Sequence, residues 1–359
     1  MPAKWIGETL DGRYQIERVL GSGATAMVYE AVDTQLQRGV AVKMLRPDAA
    51  QDPAIAASFQ REAQLAAGLH HPHLAQVYDA GTAGAQPYIV MERVAGEPLS
   101  AHRRLPVALA VDIAAQVASA LAFVHDQGLL HCDIKPANIL VDSEQQIKLV
   151  DFAGAGAGMD PAALGDDNGG ATLRLPLVHT SPGTLPYLAP ERMAGAPPSA
   201  RADVYSVGAV LYTLLAGRPP YDGTTGEAIY AARQGGPPPP LRELNPAVPP
   251  AAEAVVQRAL AADPDARYAS ATELQAALEA VREGSSQPTS SFSEVAAAAG
   301  PVVPFLPVDV LPAPDPAPVA VAAATNIPTQ AGDETSTWVP VGRPVTAPSS
   351  SAAFAPYRP

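Results

Sequence analysis

One short part of the chain, residues 131–140 together with residues 150–152, constrains the fold more than any other feature. It reads His-Cys-Asp-Ile-Lys-Pro-Ala-Asn-Ile-Leu, and Val-Asp-Phe follows after a polar stretch. The order of polar and apolar residues predicts a loop, a strand, a turn and a second strand that ends in a carboxylate. Such a hairpin brings together the side chains of Asp133, Lys135, Asn138 and Asp151.

These four side chains suit phosphoryl transfer. That reaction needs a carboxylate to orient a hydroxyl nucleophile, an ammonium group near the transferred phosphoryl group, and an amide with a second carboxylate to hold Mg²⁺. Because the protein acts mainly by positioning the reactants and neutralising charge, the identities of these side chains matter more than their surroundings. The hairpin therefore predicts a phosphotransferase site.

Composition narrows the classes of function. The chain of 359 residues can bury a large core, and its net charge of −13 argues against a nucleic-acid partner, which usually needs a basic surface. Cys132 is the only cysteine, so no disulfide forms within the chain. The N-terminus is polar, and we find no run of about 18 apolar residues. We expect no signal peptide, no membrane span and a cytoplasmic location.

The composition changes near Gly284. Residues before it show the apolar periodicity and turn signals of a globular domain, whereas residues 284–359 are rich in Pro, Ala, Ser and Thr. Because proline fixes the backbone and removes hydrogen-bond donors, we predict a disordered tail there, with a short docking segment as the alternative. The folded domain is predicted over residues 10–283, after an N-terminal extension of residues 1–9.

The sequence pattern of the folded domain predicts two lobes. Residues 10–93 alternate between apolar and polar over several short strands, and one helix begins after Asp52. Residues 97–283 are mainly helical, and residues 204–215 are apolar almost all round, as in a buried central helix. We therefore expect an α+β fold with a small β-rich N-lobe, containing one main helix, and a larger, mostly helical C-lobe.

A glycine-rich turn and a lysine precede the hairpin. Gly21, Ser22 and Gly23 lie between two predicted strands, where a backbone without large side chains can fold over phosphate groups. Alone, this pattern fits an ordinary hairpin equally well. Lys43 follows in the middle of a strand, and Glu62 lies on the helix after it. A lysine that faces a cleft from mid-strand needs an anion and a carboxylate, so the two residues explain each other.

The ordered motifs resemble those of the eukaryotic-type Ser/Thr protein kinases of bacteria. The resemblance continues through Leu-Ala-Pro-Glu at residues 188–191 and Asp-Val-Tyr-Ser-Val-Gly at residues 203–208, and ends at about residue 282. It implies the two-lobed protein-kinase fold, ATP and Mg²⁺ or Mn²⁺ as cofactors, and Ser or Thr hydroxyls of proteins as acceptors. Autophosphorylation in bacterial signalling is also expected.

The resemblance implies a role for each matching residue. Those implied in catalysis are Lys43, Glu62, Asp133 and Lys135. Those implied in metal binding are Asn138 and Asp151. Those implied around the nucleotide are Gly21, Ser22, Gly23, Val28, Ala41, Lys43, Met91, Glu92, Val94, Asn138, Leu140 and Asp151. Those implied in substrate binding or support are Thr184, Glu191, Asp203 and Arg267. Candidate phosphorylation sites are Thr172, Thr180 and Ser181.

Besides Ala26 at the third glycine position of the glycine-rich turn, two positions depart from the family pattern. Cys132 stands where many of these kinases carry an arginine that binds a phosphorylated residue, and cysteine cannot bind phosphate in that way. We therefore expect activity not to depend on a phosphate bound there. Ala153 replaces a glycine and restricts the backbone after Asp151, although Gly154 follows it. These departures leave a pseudokinase, a nucleotide-binding scaffold without turnover, as the alternative function.

The tail suggests a partner. Its hydroxyl groups are near the kinase domain along the chain, so a high effective concentration favours self-phosphorylation and recruitment of a phosphothreonine-binding protein. The hydroxyl-bearing residues are Ser285, Ser286, Thr289 and Thr329. An inert linker is the equally supported alternative.

Overall fold

The structure is a computed structural model that describes residues 2–151, 183–223 and 225–284. Its strands are β1 (Thr9–Leu10), β2 (Tyr14–Ser22), β3 (Ala26–Asp33), β4 (Arg38–Leu45), β5 (Val77–Ala83), β6 (Gln86–Glu92), β7 (Gly96–Pro98), β8 (Ile139–Asp142) and β9 (Ile147–Leu149). Its α-helices are α1 (Pro47–Ala50), α2 (Pro53–Ala67), α3 (Val107–Asp126), α4 (Pro190–Met193), α5 (Ala200–Ala216), α6 (Gly226–Gln234), α7 (Leu241–Leu244), α8 (Pro250–Ala259) and α9 (Ala271–Gly284).

Several predicted features lie outside the described residues. They are Ala153, Gly154, the candidate phosphorylation sites Thr172, Thr180 and Ser181, and the tail hydroxyls Ser285, Ser286, Thr289 and Thr329.

The N-lobe is built on an antiparallel sheet with the strand order β1-β2-β3-β4-β6-β5. In the centre of this sheet, Lys43 of β4 lies opposite Val28 of β3 on one side and Ile89 of β6 on the other. Alternate residues of β4 belong to different apolar clusters, because successive side chains point to opposite faces of a strand. Lys43 is thereby held on the face that α2 covers.

Residues that the sequence assigned to the N-terminal extension contact this sheet. Strand β1 begins at Thr9 and pairs with β2, and the amide of Gly7 donates to the carbonyl of Ile16 at 2.9 Å. Trp5 packs against the apolar cluster on the outer face of the sheet. The domain boundaries proposed from the sequence stay a prediction.

Helix α2 has a strong start signal that fixes its register. The carboxylate of Asp52 accepts a hydrogen bond from the amide of Ala54 at 2.8 Å, and Pro53 occupies the first helical position. Phe59 and Ala63 are buried on the face that packs against β4 and β6. This register places Glu62, one residue before Ala63, beside the strand that carries Lys43.

The C-lobe is built around α3 and α5. Helix α5 is buried along almost its whole length, and α8 packs closely on it because Gly208 has no side chain. A Cβ at Gly208 would lie 2.7 Å from the Cβ of Ala259, far inside van der Waals contact. The C-terminal helix α9 packs along α3 and completes the lobe.

The composition of helix α3 would suit a membrane span as well as a protein core. Within the described ranges it is the one helix long and apolar enough to cross a membrane, with 20 residues and a mean hydropathy of 2.0. However, 61% of its most apolar 18-residue stretch is buried inside the protein, and Ile113, Leu121 and Val124 are fully covered. Such burial is typical of the central helix of a globular lobe, which satisfies the same length and composition criteria.

A three-stranded sheet carries the hairpin predicted from the sequence. Strands β8 and β9 pair antiparallel, and β7 pairs with the other edge of β8. The main chain of Leu149 also bonds to His73 and Ala75, which precede β5, at 2.9 and 3.0 Å. The hairpin is thus attached to the N-lobe as well as to the C-lobe, and Asp151 lies directly after it.

Candidate active site

Three segments of the chain meet at the ammonium group of Lys43. Its Nζ lies 2.7 Å from Oε1 of Glu62 on α2 and 3.0 Å from Oδ1 of Asp151 after β9. The side chain of Lys43 is only 11% exposed, so these carboxylates replace most of its hydration. The sequence predicted the pair with Glu62, and the structure adds the direct contact with Asp151.

The charges of Lys43 and Asp151 support each other, whereas burial, together with the carboxylate of Asp151, raises the pKa of Glu62. Burial alone would lower the pKa of Lys43, but the carboxylates of Asp151 and Glu62 outweigh that effect and raise its pKa above the ordinary value. Burial likewise acts to raise the pKa of Asp151, but Lys43 outweighs it and the net pKa is lowered. Lys43 is therefore cationic and Asp151 anionic at neutral pH.

A second cluster surrounds the carboxylate of Asp133. Lys135 Nζ donates to Asp133 Oδ2 at 2.8 Å, and Asn138 Nδ2 donates to the same oxygen at 2.9 Å. The hydroxyl of Thr184 donates to Asp133 Oδ1 at 3.0 Å and accepts from Lys135 Nζ at 2.9 Å. The structure thus brings Lys135, Asn138 and Thr184 together around Asp133, and Thr184 comes from a segment about fifty positions away. A hydroxyl group lies between a carboxylate and an ammonium group.

Asp203 of α5 holds the backbone of the loop that carries Asp133. Its Oδ2 accepts from the amide of His131 at 3.0 Å, and its Oδ1 accepts from the amide of Cys132 at 2.9 Å. The backbone of Cys132 has a φ of 66°, a left-handed conformation that is uncommon for residues with a side chain. The two hydrogen bonds stabilise that conformation.

His125 is a supporting residue whose role the sequence did not predict. Its Nε2 lies 2.9 Å from Oδ2 of Asp203, the oxygen that also binds the amide of His131. His125 lies in the last turn of α3. Nothing in the local pattern links positions 78 residues apart, so this contact required the structure.

A buried ion pair supports the segment that carries Thr184. Arg267 donates to both carboxylate oxygens of Glu191, at 2.7 and 2.8 Å, and its side chain is fully buried. The guanidinium also donates to the carbonyls of Ala261 at 2.8 Å and Arg201 at 3.0 Å. Such a bidentate pair fixes the orientation of the two side chains as well as the distance between them. The segment is therefore held at both ends, by Asp133 at Thr184 and by Arg267 at Glu191.

The residues predicted to surround a nucleotide lie on strands of the two sheets or directly next to them. Gly21 and Ser22 end β2, and the amide of Gly23 donates to the carbonyl of Ala26 at 2.8 Å, which closes the turn. Val28 and Ala41 lie on β3 and β4 in register with Lys43 and Met91 respectively. Glu92 ends β6, Val94 follows it, and Leu140 lies on β8.

Two further contacts in this region were not predicted. Arg46, immediately after β4, donates to the carbonyl of Gly23 at 2.9 Å and to the hydroxyl of Ser22 at 2.6 Å. The side chain of Glu92 pairs with Lys148 of β9 at 2.9 Å. The first contact anchors the glycine-rich turn to its own sheet, and the second ties the end of β6 to the hairpin.

Comparison with known proteins places this geometry in a family. Residues 14–278 match the protein kinase domain. The chain belongs to the protein kinase family. The expected fold, a two-lobed protein kinase with a sheet-rich N-lobe and a helical C-lobe, is thereby confirmed.

The relatives of this protein kinase include bacterial enzymes. It is 42% identical over 284 residues to serine/threonine-protein kinase PknB of Mycolicibacterium smegmatis, which covers 77% of this chain and 44% of that protein. It is 38% identical over 277 residues to serine/threonine-protein kinase PrkC of Bacillus subtilis, and this match covers 76% of this chain and 41% of that protein. The chain therefore spans less than half the length of these relatives.

A solved structure resembles this protein kinase. The Mycobacterium tuberculosis PknI kinase domain is 32% identical, with a TM-score of 0.58, and the match covers 76% of this chain and 98% of that one. The resemblance to bacterial Ser/Thr kinases that the motifs indicated is therefore confirmed.

Cys132, one of the departures from the family pattern, is partly buried in surroundings that disfavour its thiolate. Burial raises the pKa of its thiol, and the nearby carboxylate of Asp203 acts in the same direction. The thiolate, not the thiol, is the nucleophile, so little reactive form is present at neutral pH. This agrees with a packing role and not with a redox-sensitive one.

The chemistry of Cys132 provides a direct test of this part of the site. Because it is the only cysteine, iodoacetamide labelling measured by intact mass reports on this residue alone. We expect labelling of the folded protein at neutral pH to be at least ~10-fold slower than labelling of the chain unfolded in guanidinium. Cys132→Ser gives the zero-labelling control. Equal rates in the two states would contradict the burial described here.

Proposed function

We propose that this protein kinase is an ATP-dependent serine/threonine kinase that transfers the γ-phosphoryl group of ATP to Ser and Thr hydroxyls of proteins. One observation carries the proposal: the hydroxyl of Thr184 lies 3.0 Å from Asp133 and 2.9 Å from Lys135. This is the environment that an acceptor hydroxyl requires, with a carboxylate to accept its proton and an ammonium group to neutralise the phosphoryl oxygens.

In the proposed reaction, Asp133 orients the acceptor hydroxyl in line with the phosphoryl group. As the acceptor oxygen bonds to the γ-phosphorus and the bond to the bridging oxygen of ADP breaks, the hydroxyl proton passes to the Asp133 carboxylate. A carboxylate is a weak base, so this transfer occurs late, when the oxygen has already become acidic. Lys135 stabilises the charge on the γ-phosphoryl oxygens, and Lys43 holds the α- and β-phosphates.

The residues proposed to bind the metal fit a hard divalent cation. The Nδ2 group of Asn138 donates to both the carbonyl and the carboxylate of Asp133 at 2.9 Å, which directs its amide oxygen away from Asp133. Asp151 has a lowered pKa and supplies an ionised carboxylate. Amide and carboxylate oxygens are the ligands that Mg²⁺ prefers, and the bound ion would neutralise the phosphates. Mn²⁺ would suit the same ligands.

The nucleotide is proposed to lie between the lobes. The turn formed by Gly21, Ser22 and Gly23 covers its phosphates, and the backbone of Glu92 and Val94 pairs with its adenine ring. The side chains proposed to surround the adenine ring are small or apolar, namely Val28, Ala41, Met91 and Leu140. We also propose that the kinase domain is cytoplasmic, where ATP is available.

The tail is proposed to be a regulatory target of the domain. Its Ser and Thr residues lie on the same chain as the kinase domain, after α9, so self-phosphorylation and binding of a phosphothreonine-recognising protein are favoured by effective concentration. Mass spectrometry after incubation with ATP should find phosphate on Ser285, Ser286, Thr289 or Thr329 of the parent and none on Asp133→Asn. An unmodified tail in an active parent would remove this proposal.

A transfer assay tests the proposed activity. With radiolabelled ATP and Mg²⁺, the parent should phosphorylate Ser and Thr, but not Tyr, in a mixture of test peptides. Lys43→Met and Asp133→Asn should each reduce transfer by at least ~100-fold, since they remove groups that act on the transferred phosphoryl group. Lys4→Met is the matched control, because Lys4 is exposed near the N-terminus, and it should retain full activity.

The same assay separates the alternative function. ATP binding by the parent without any transfer would establish a pseudokinase. Transfer that persists in Asp133→Asn would overturn the role given to that carboxylate.

A further inference from the structure

Arg233, near the end of α6, contacts the segment between Thr184 and Glu191 in a way that the proposed reaction does not use. Its Nη2 donates to the carbonyl of Leu188 at 2.6 Å, and its Nη1 lies 2.8 Å from the sulfur of Met193. The guanidinium also lies over the rings of Tyr205 and Tyr221, 5.5 and 5.3 Å from their centroids.

These contacts restrict where the guanidinium can lie. Two aromatic rings and a thioether surround it, and a planar cation can stack on aromatic faces while its edge donates hydrogen bonds. Burial lowers the pKa of Arg233, but an arginine stays protonated at any physiological pH. Its strong donors therefore have a defined direction, and the carbonyl of Leu188 lies in that direction.

Leu188 lies in the middle of a segment that is held at several successive residues, through side chains at some and through backbone carbonyls at others. Upstream, Thr184 contacts Asp133, and the hydroxyl of Ser206 donates to the carbonyl of Tyr187 at 2.9 Å. Downstream, Glu191 is paired with Arg267. Of these supports, Arg233 is the one that comes from α6. Movement of α6 would therefore move the carbonyl of Leu188 relative to the acceptor site.

We infer that Arg233 is a positioning residue for protein substrates. By fixing the carbonyl of Leu188 it sets the path of the backbone four residues after Thr184, whose hydroxyl marks the acceptor position beside Asp133, so a peptide acceptor at that position would lie against this segment. Arg233 contacts neither the proposed nucleotide residues nor Asp133. Its loss should therefore weaken the binding of the peptide and not that of ATP. The role in peptide binding rests on the proposed kinase activity, whereas the hold of Arg233 on the carbonyl of Leu188 does not.

Steady-state kinetics test the effect on the substrate. For a peptide chosen as the best acceptor of the parent on a Ser/Thr peptide array, Arg233→Met should raise the peptide KM by about tenfold, the equivalent of one charged hydrogen bond. The KM for ATP and the rate of ATP hydrolysis without peptide should stay within about twofold. Arg233→Lys keeps the charge and one donor, so its peptide KM should lie between those of the parent and Arg233→Met.

A matched control separates positioning from general stability. Arg104 also donates to backbone carbonyls of the C-lobe, those of Leu244 at 2.9 Å and Ala216 at 3.4 Å, but not to the segment at residues 184–191. Arg104→Met should therefore leave the peptide KM unchanged. An unchanged peptide KM in Arg233→Met, or an equal rise in the KM values for peptide and ATP, would overturn the inference.

Hydrogen exchange tests the structural part without requiring turnover. In Arg233→Met, amides of residues 185–193 should exchange at least ~10-fold faster than in the parent, while those of β8 and β9 should not change. Unchanged exchange at 185–193 would overturn the inference even in an active enzyme. If the parent transfers no phosphate at all, the proposed function fails, and the exchange result still decides whether Arg233 holds this segment.

Discussion

The contact of Lys43 with both Glu62 and Asp151 is the interaction on which the assembled site depends, because the three residues come from three different segments. Lys43 lies in the central strand of the N-lobe sheet, Glu62 on the helix that covers it, and Asp151 after the hairpin attached to both lobes. Moving an ion pair out of water costs solvation energy that the attraction between the partners only partly offsets, and loss of one partner typically costs about 3–5 kcal/mol because the other charge is left buried and unpaired. The cluster is therefore costly to keep unless it serves the phosphates of a nucleotide.

The second half of the site depends on a different buried carboxylate. Asp203 belongs to the most deeply buried helix of the C-lobe and binds two successive amides of the loop that carries Asp133. Through these two hydrogen bonds the buried core of the C-lobe fixes the position of the proposed base, Asp133. Functional groups held by buried elements keep their geometry better than groups on free loops. This arrangement explains why a cysteine at position 132 is compatible with the fold, since the backbone and not the side chain makes these bonds.

Most of the fold and much of the site followed from short-range patterns. The hairpin, the start of α2 at Asp52 and the apolar helix α5 each follow from periodicity or capping over a few residues, and Asp133, Lys135, Asn138 and Asp151 lie close together in sequence. The contacts of His125, Arg46 and Arg233 did not follow, because each joins residues that no local pattern relates. The packing of residues 5–9 on the N-lobe sheet did not follow either, because a two-residue strand carries almost no periodic signal.

The central claim is that Asp151, held by Lys43, completes a site for a nucleotide with its metal ion. Calorimetric titration of a non-hydrolysable ATP analogue, with and without Mg²⁺, tests it most directly in the parent and in Asp151→Asn. Mg²⁺ should tighten binding to the parent by at least ~10-fold and should have little effect on the variant, because the variant lacks the ionised ligand. An equal effect of Mg²⁺ on both proteins would contradict the account.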